Sequence, residues 1–399
     1  MAEAGHRGSG IRSDCWIRFT PADRGIKLKL TSKVAALYGK KIEKQVHANL
    51  TKMAVSGGRV EIEDQGALPY VISARLETAV RRSGVPVSVS VLPETISESR
   101  AGKKDRMRRS RLYIPGNQPY LFINAGLYHP DGIILDLEDS VPPSEKDAAR
   151  VLVRNALGAM DFMGAERMVR INQLPMGLED LAEIVPAGVQ MILIPKCEHK
   201  DQILEIESRI KGLDPPHTIW LMPIIESALG CFNALEIATA SNQVAAISIG
   251  LEDYTADLGV ARTRNGTESL WARQVVVNAA TAAGIQAIDS VFSDLSDMIG
   301  LKESSLEAKS LGFEGKACIH PNQIKVIHEA FRPTNNEIQK ACAIVSAYEK
   351  AKSEGLGVVA LGSKMIDAPV VKRAQLTIKR AIETGDLKKD WQTNNTPSK

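Results

Sequence analysis

The sequence predicts an α/β protein, a closed (β/α)8 barrel with C-terminal helices, preceded by a small α+β domain. Three observations predict it. Short apolar runs alternate with amphipathic helical stretches through the middle of the chain, which calls for a parallel sheet. The runs number eight, which fits a closed barrel better than an open sheet. A separate block of strand-like and helical segments comes first, and a Ser-rich, then basic stretch divides the two.

In the first block, 16–19 and 25–30 are β-rich and read as the arms of a hairpin. Residues 34–53 carry apolar side chains at helical spacing, including Val34, Leu37, Val46 and Leu50. Residues 59–63 read as another strand and 68–81 as another helix. The expected domains are 1–84 for this block, 85–109 for a linker and 110–399 for the barrel with its helical extension. As a coil the linker would span roughly 25–30 Å. Its basic cluster, Lys103, Lys104, Arg106, Arg108 and Arg109, reads as a solvated hinge or as a seat for an anionic cofactor tail. The barrel strands are expected at 111–115, 132–137, 167–172, 191–196, 220–225, 245–250, 286–291 and 316–320. Two further helices are expected at 334–352 and 370–385.

Composition narrows the class. With 399 residues, 44% hydrophobic and 24% charged, the chain has ample material for a core. Its 50 basic and 47 acidic residues nearly cancel, so nucleic acid is not an expected partner. No run reaches the roughly 18 apolar residues of a membrane span, so no membrane is expected either. The polar, Gly-rich N-terminus lacks the apolar stretch of a signal peptide, which makes the cytoplasm the expected location. Five cysteines without a CxxC pair argue for reduced thiols and against a disulfide framework or structural zinc. The chain has no GxxxxGK, GxGxxG, HExxH or GxSxG motif.

Catalytic groups of such a barrel stand at the C-terminal ends of its strands. Those ends supply Asp136, Glu138 and Asp139, then Arg170, Lys196, Glu226, and finally Glu252 and Asp253. Carboxylates crowded on one rim repel unless a cation lies between them. Oxygen ligands without a His or Cys cluster suit Mg²⁺, which keeps waters and takes substrate oxygens.

The stretches RRSRLYIPGNQP, GIILDLEDSVPPSEKDAAR, MVRIN, MILIPK, IIES, IGLEDY, GKACIHPNQI and GLGVVALGSKMIDAPVV resemble the citrate lyase beta subunit, within the citrate lyase/malyl-CoA lyase aldolases. The N-terminal WIRFTPAD and DQGALPYVISARLETAVRRSG resemble the citrate lyase gamma subunit, an acyl carrier protein. The resemblance implies a Mg²⁺-dependent TIM-barrel lyase that splits a 3-hydroxyacyl thioester, citryl-carrier, into oxaloacetate and acetyl-carrier. It places the metal ligands on Glu226 and Asp253, the catalytic arginine on Arg170 and the acids of its LDLED motif on Glu138 and Asp139. Arg170, Lys196 and Asp139 are the implied substrate contacts. Asp367 of KMIDAP matches an aspartate that malyl-CoA lyase relatives place in a neighbouring subunit's site. This implies a homo-oligomer, a trimer or dimer of trimers, and a citrate lyase alpha subunit, an acyl transferase, as a further partner.

The carrier family attaches a phosphoribosyl-dephospho-CoA group to a serine two residues before an aspartate. Here that position is Arg12 in GIRSDCWIRF, and Ser13 is the candidate attachment residue, with Ser9 as the other. Two readings stay open beside citryl-carrier cleavage: a malyl-CoA or citramalyl-CoA type lyase acting on free esters, and a non-catalytic carrier scaffold.

Overall fold

Strands β1 (Ala2–Ala4), β2 (Cys15–Pro21), β3 (Gly25–Ser32) and β4 (Gly57–Asp64) form a sheet in the order β1-β2-β4-β3. The computed structural model that shows this describes residues 1–93, 101–353, 359–361 and 364–392. The expected hairpin is not there. β4 lies between β2 and β3, antiparallel to the first and parallel to the second. Two features override the short 22–24 connection. Helix α1 (Ala35–Lys52) supplies the crossover that parallel pairing of β3 with β4 requires. The glycine pair opening β4 lets it enter this gap: a Cβ on Gly57 would fall 2.3 Å from the Ala22 carbonyl, and one on Gly58 2.5 Å from the Phe19 ring. Ile17, Phe19, Val60 and Ile62 from the sheet meet Val46 and Leu50 of α1 and Leu76 and Val80 of α2 (Pro69–Arg82) in one core. Val91 is buried in the same core, and Val85 and Val87 pack against it.

Among the described residues, eight strands close into a parallel barrel. They are β5 (Ser110–Pro115), β6 (Gly132–Asp136), β7 (Glu166–Arg170), β8 (Met191–Ile194), β9 (Trp220–Ile225), β10 (Ala246–Ile249), β11 (Gln286–Asp289) and β12 (Gly315–Cys318). Their lumen is filled by Ile134, Met168, Met191, Leu193, Met222, Ile224 and Ile288. All eight lie where apolar runs predict them.

Arg108 and Arg109 of the basic cluster are held in ion pairs with the barrel and do not form a solvated hinge. Arg108 is fully buried at the N-terminal face, where its guanidinium bonds Glu166 at 2.7 and 2.8 Å and Gln286 at 2.6 Å. It also donates to the Lys103 and Lys104 carbonyls. Arg109 clasps Asp131 through Nε and Nη2, and the Trp220 indole donates to the Gly102 carbonyl. Residues 101–109 therefore tie down the barrel floor, the face opposite the catalytic rim. Removing one partner of a pair buried like Arg108–Glu166 costs roughly 3–5 kcal/mol, because the other charge is stranded.

The carrier-like block is docked on the barrel. Helix α2 packs on α3 (Lys146–Ala159), the helix after β6. Across this contact Arg154 bonds Glu77 at 2.7 and 3.0 Å, with Glu77 fully buried and Arg154 2% exposed. Arg82 pairs with Asp147, Arg81 with Glu183, and the Asn155 amide donates to the Tyr70 carbonyl.

The chain divides into two compact units, Met1–Ile327 and His328–Lys399. In the second, helices Asn335–Ser353 and Ala368–Glu383 pack through Ala341, Val345, Ala374 and Ile378. Strands β13 (Val359–Leu361) and β14 (Lys364–Ile366) pair antiparallel between them in sequence. Among the described residues no helix is long and apolar enough to cross a membrane.

Candidate active site

A cavity of about 480 Å³ opens at the C-terminal ends of the barrel strands. Asp136, Asp139, Arg170, Glu226 and Asp253 line it, with Tyr113 on its wall.

Arg170 closes β7 directly beside Asp136, its register partner at the end of β6. Asp136 accepts from its Nε at 2.7 Å and from its Nη2 at 2.8 Å. The guanidinium lies 5.1 Å above the Tyr113 ring. Burial works against its charge, but the Asp136 bonds outweigh that and hold Arg170 more firmly protonated than a free arginine. Asp136 is itself fixed by the Ser140 hydroxyl and the Glu138 amide. The side chain is therefore set on both sides before any substrate arrives.

Glu138 stands behind this clamp. Its Oε2 is 2.9 Å from Arg170 Nη1 but off the N–H direction, and it accepts no hydrogen bond. Oε1 accepts from Gln173. Burial raises the Glu138 carboxyl above its usual range, against the pull of Arg170. Asp139 is half exposed and 3.7 Å from the same guanidinium. Lys146 Nζ donates to the Leu137 and Glu138 carbonyls and so pins the loop that carries both acids.

Glu226 directly follows β9 as a buried carboxyl, and burial pushes it up to about 8. Its one hydrogen bond among the described residues comes from the Lys196 amide at 2.9 Å. Lys196 adopts φ 45°, a left-handed conformation that costs a non-glycine residue and turns its N–H onto Glu226. Its ammonium lies 3.4 Å from Asp253, so one residue links both acids. Gly250 makes room for them: a Cβ there would come 2.7 Å from Glu226 Oε2. Among the described residues no cationic side chain stands in ion-pair contact with this buried carboxyl, so a cation held there would offset the cost of its burial. Among the described residues no third His, Cys, Asp or Glu joins these acids in a metal-holding group. The pair suits an ion that keeps waters and takes substrate oxygens.

The structure thus brings Glu138, Asp139, Arg170, Lys196, Glu226 and Asp253 together. Ser13 lies in the carrier-like block and is not among the residues that line this cavity. Asp367 lies in the second unit, where its carboxylate caps helix Ala368–Glu383 by accepting from the Val370 amide. Asp136, which the sequence shows only as one of several strand-end acids, makes the bidentate bond to Arg170. The signal was there: strand-end residues aligned in register face the same way.

The chain matches the HpcH/HpaI aldolase/citrate lyase family over residues 109–321. Residues 2–83 match an acyl carrier family described as malonate decarboxylase delta subunit. Citrate lyase subunit beta of Leuconostoc mesenteroides subsp. cremoris is 42% identical over 284 residues, 69% of this chain and 94% of its own length. Human mitochondrial citramalyl-CoA lyase is 32% identical, over 68% of this chain and 84% of its own length. The crystal structure of protein CitE from Mycobacterium tuberculosis, in complex with magnesium, acetoacetate and coenzyme A, superposes with a TM-score of 0.58 at 30% identity. That match covers 70% of this chain and 99% of the other. The barrel, its rim of acids around one clamped arginine and these matches agree, and the chain belongs to the HpcH/HpaI aldolase/citrate lyase family of carbon–carbon lyases, with an acyl-carrier-like domain in the same polypeptide.

Proposed function

We propose that this protein cleaves citryl thioester held on its own carrier domain, giving oxaloacetate and acetyl-carrier. One observation carries the reading: a carrier-like domain shares a polypeptide with a barrel 42% identical to a citrate lyase beta subunit. The bond broken joins the hydroxyl-bearing carbon to the carbon next to the thioester. The hydroxyl loses its proton and becomes the ketone of oxaloacetate. The electron pair passes to the thioester as an enolate, which takes up a proton to become acetyl.

Glu226 and Asp253 are the residues that would hold Mg²⁺. When bound, the ion polarises the substrate oxygen that becomes the ketone. Arg170 presents Nη1 to the thioester oxygen as negative charge grows there, and the Asp136 clamp spares it reorganisation at that moment. Glu138, 2.9 Å from Nη1, positions Arg170, Lys196 contacts a carboxylate of the substrate, and Asp139 is a further substrate contact. Ser13 carries the phosphoribosyl-dephospho-CoA arm.

Asp367 of a neighbouring copy supplies the proton that quenches the enolate, so the working form is a homo-oligomer, a trimer or dimer of trimers. An exposed aromatic pair supports this, Phe232 at 78% and Trp271 at 51% exposure with ring centroids 5.5 Å apart on the barrel's outer helices. Mixed oligomers of Asp367→Ala and Arg170→Ala chains, each inactive alone, should recover partial activity. Verified mixed oligomers with none would exclude a shared site.

Arg12 stands where the carrier family has its serine, and this favours a second reading, cleavage of free coenzyme A esters. Ser13→Ala separates the two. The first reading expects it to abolish carrier-dependent turnover and spare cleavage of free citryl-CoA. Unchanged turnover with unmodified Ser13 supports the second.

A further inference from the structure

A carrier that shuttles must leave its dock, and the contacts of this one are built to stay. We infer that the carrier domain is a fixed wall of the lyase, and that the cleft between its residues 6–14 and the barrel's 117–120 is the track of the acyl-bearing arm. The inference rests on the proposed attachment at Ser13.

The attachment turn sits on the catalytic side of the barrel. Asn117–Tyr120 follow β5 at its C-terminal end and, with His6, Ile11, Arg12 and Asp14, line a cleft of about 220 Å³. Tyr113, Ile114 and Pro115, just before them, line the cavity that holds Arg170. One segment, 113–120, walls both spaces.

The turn is also tied to that segment. Ser13 takes φ 54°, so the direction of the chain beside it is set. The next residue, Asp14, is 2% exposed and held by Arg75 at 3.0 and 2.8 Å, by His6 at 2.9 Å and by the Cys15 amide. Arg75 also donates to the Asn117 carbonyl at 3.0 Å. His6 meets Glu145 through its other nitrogen, and the Asn117 amide bonds that same carboxylate. A continuous polar chain thus runs from the neighbour of Ser13 to the rim.

Undocking would be expensive. Glu77 and Arg154 bond across the contact while both are almost fully buried, and separation would break that bond together with Arg82–Asp147, Arg81–Glu183 and Asn155–Tyr70. The cleft suits the arm's chemistry. Arg12 is exposed and has no carboxylate partner among the described residues, so it can meet a phosphodiester; Ile11, Pro119 and Tyr120 offer an apolar lane for the pantetheine stem.

The test uses the full, arm-loaded chain with Cys342→Ser and with Arg82→Cys and Asp147→Cys joined by a short bis-maleimide. Cleavage of carrier-bound citryl thioester is expected to stay within about twofold of the unlinked protein. A tenfold loss on linking, with free citryl-CoA cleavage retained, would show that the domain must move. Arg12→Glu, with arm loading verified by mass and the unfolding midpoint unchanged, is expected to slow carrier-bound cleavage about tenfold. An equal rate overturns the track. Nitrogen-15 relaxation tests docking without the arm: carrier and barrel amides should report one rotational correlation time, and a several-fold shorter time for the carrier overturns docking. A chain with no mass on Ser13 but one correlation time refutes the attachment and not the dock.

Discussion

Replacing Arg170 by lysine is expected to lower kcat for thioester cleavage by roughly 10²- to 10³-fold, the usual loss when one preorganised donor to a developing oxyanion is removed. Lysine keeps the charge beside buried Asp136, so the fold is not asked to strand a carboxylate. It cannot keep the geometry. Asp136 takes two N–H groups of a planar fork whose remaining nitrogen lies 2.9 Å from Glu138, and the Tyr113 ring supports that plane from one side. An ammonium offers a point charge with no fixed direction. Steady-state kinetics beside thermal unfolding decides this: kcat should collapse while the unfolding midpoint moves by a few degrees. A variant within about threefold of the parent would remove Arg170 from the chemistry.

The second large effect is expected at Glu226. Glu226→Gln keeps the size of the side chain and its bond from the Lys196 amide but removes the anion. Loss of metal-assisted polarisation is worth several kcal/mol, so activity should fall by roughly 10³-fold or more. The same change should not weaken the metal-free fold, because a carboxyl driven up to about 8 by burial is a cost to that fold. The two proteins should therefore differ in one further respect. Adding Mg²⁺ should raise the unfolding midpoint of the parent, since a ligand of the folded state stabilises it. Glu226→Gln should show no such rise. Equal stabilisation of both would place the metal elsewhere.

Much of this architecture is legible in the sequence, for a physical reason. Barrel strands are buried on both faces, so MILI and WLMPII appear as unbroken apolar runs between amphipathic helices. Acids and bases that break such runs at their ends mark the rim, which is how Arg170, Glu226 and Asp253 stand out. What fails is pairing over distance. Nothing local in Gly25–Ser32 says that it pairs with β4 and not with β2; the decision lies with the Gly57–Gly58 pair and the α1 crossover. The basic cluster misleads because charge suggests solvent, while Arg108 finds Glu166 only when the barrel closes. Asp136 reads as one more acid until its register beside Arg170 is known. The dock of the carrier is hidden for the same reason, since Glu77 and Arg154 are far apart in the chain and buried only together.

The central claim is that one polypeptide carries its substrate and cleaves it. Mass spectrometry of the peptide containing Ser13, from protein loaded with a citryl group and sampled through a single turnover, tests it most directly. The account predicts that this peptide changes from citryl-arm to acetyl-arm mass as one equivalent of oxaloacetate appears in solution. A peptide without any arm, in protein that releases keto acid only from free coenzyme A esters, would contradict it.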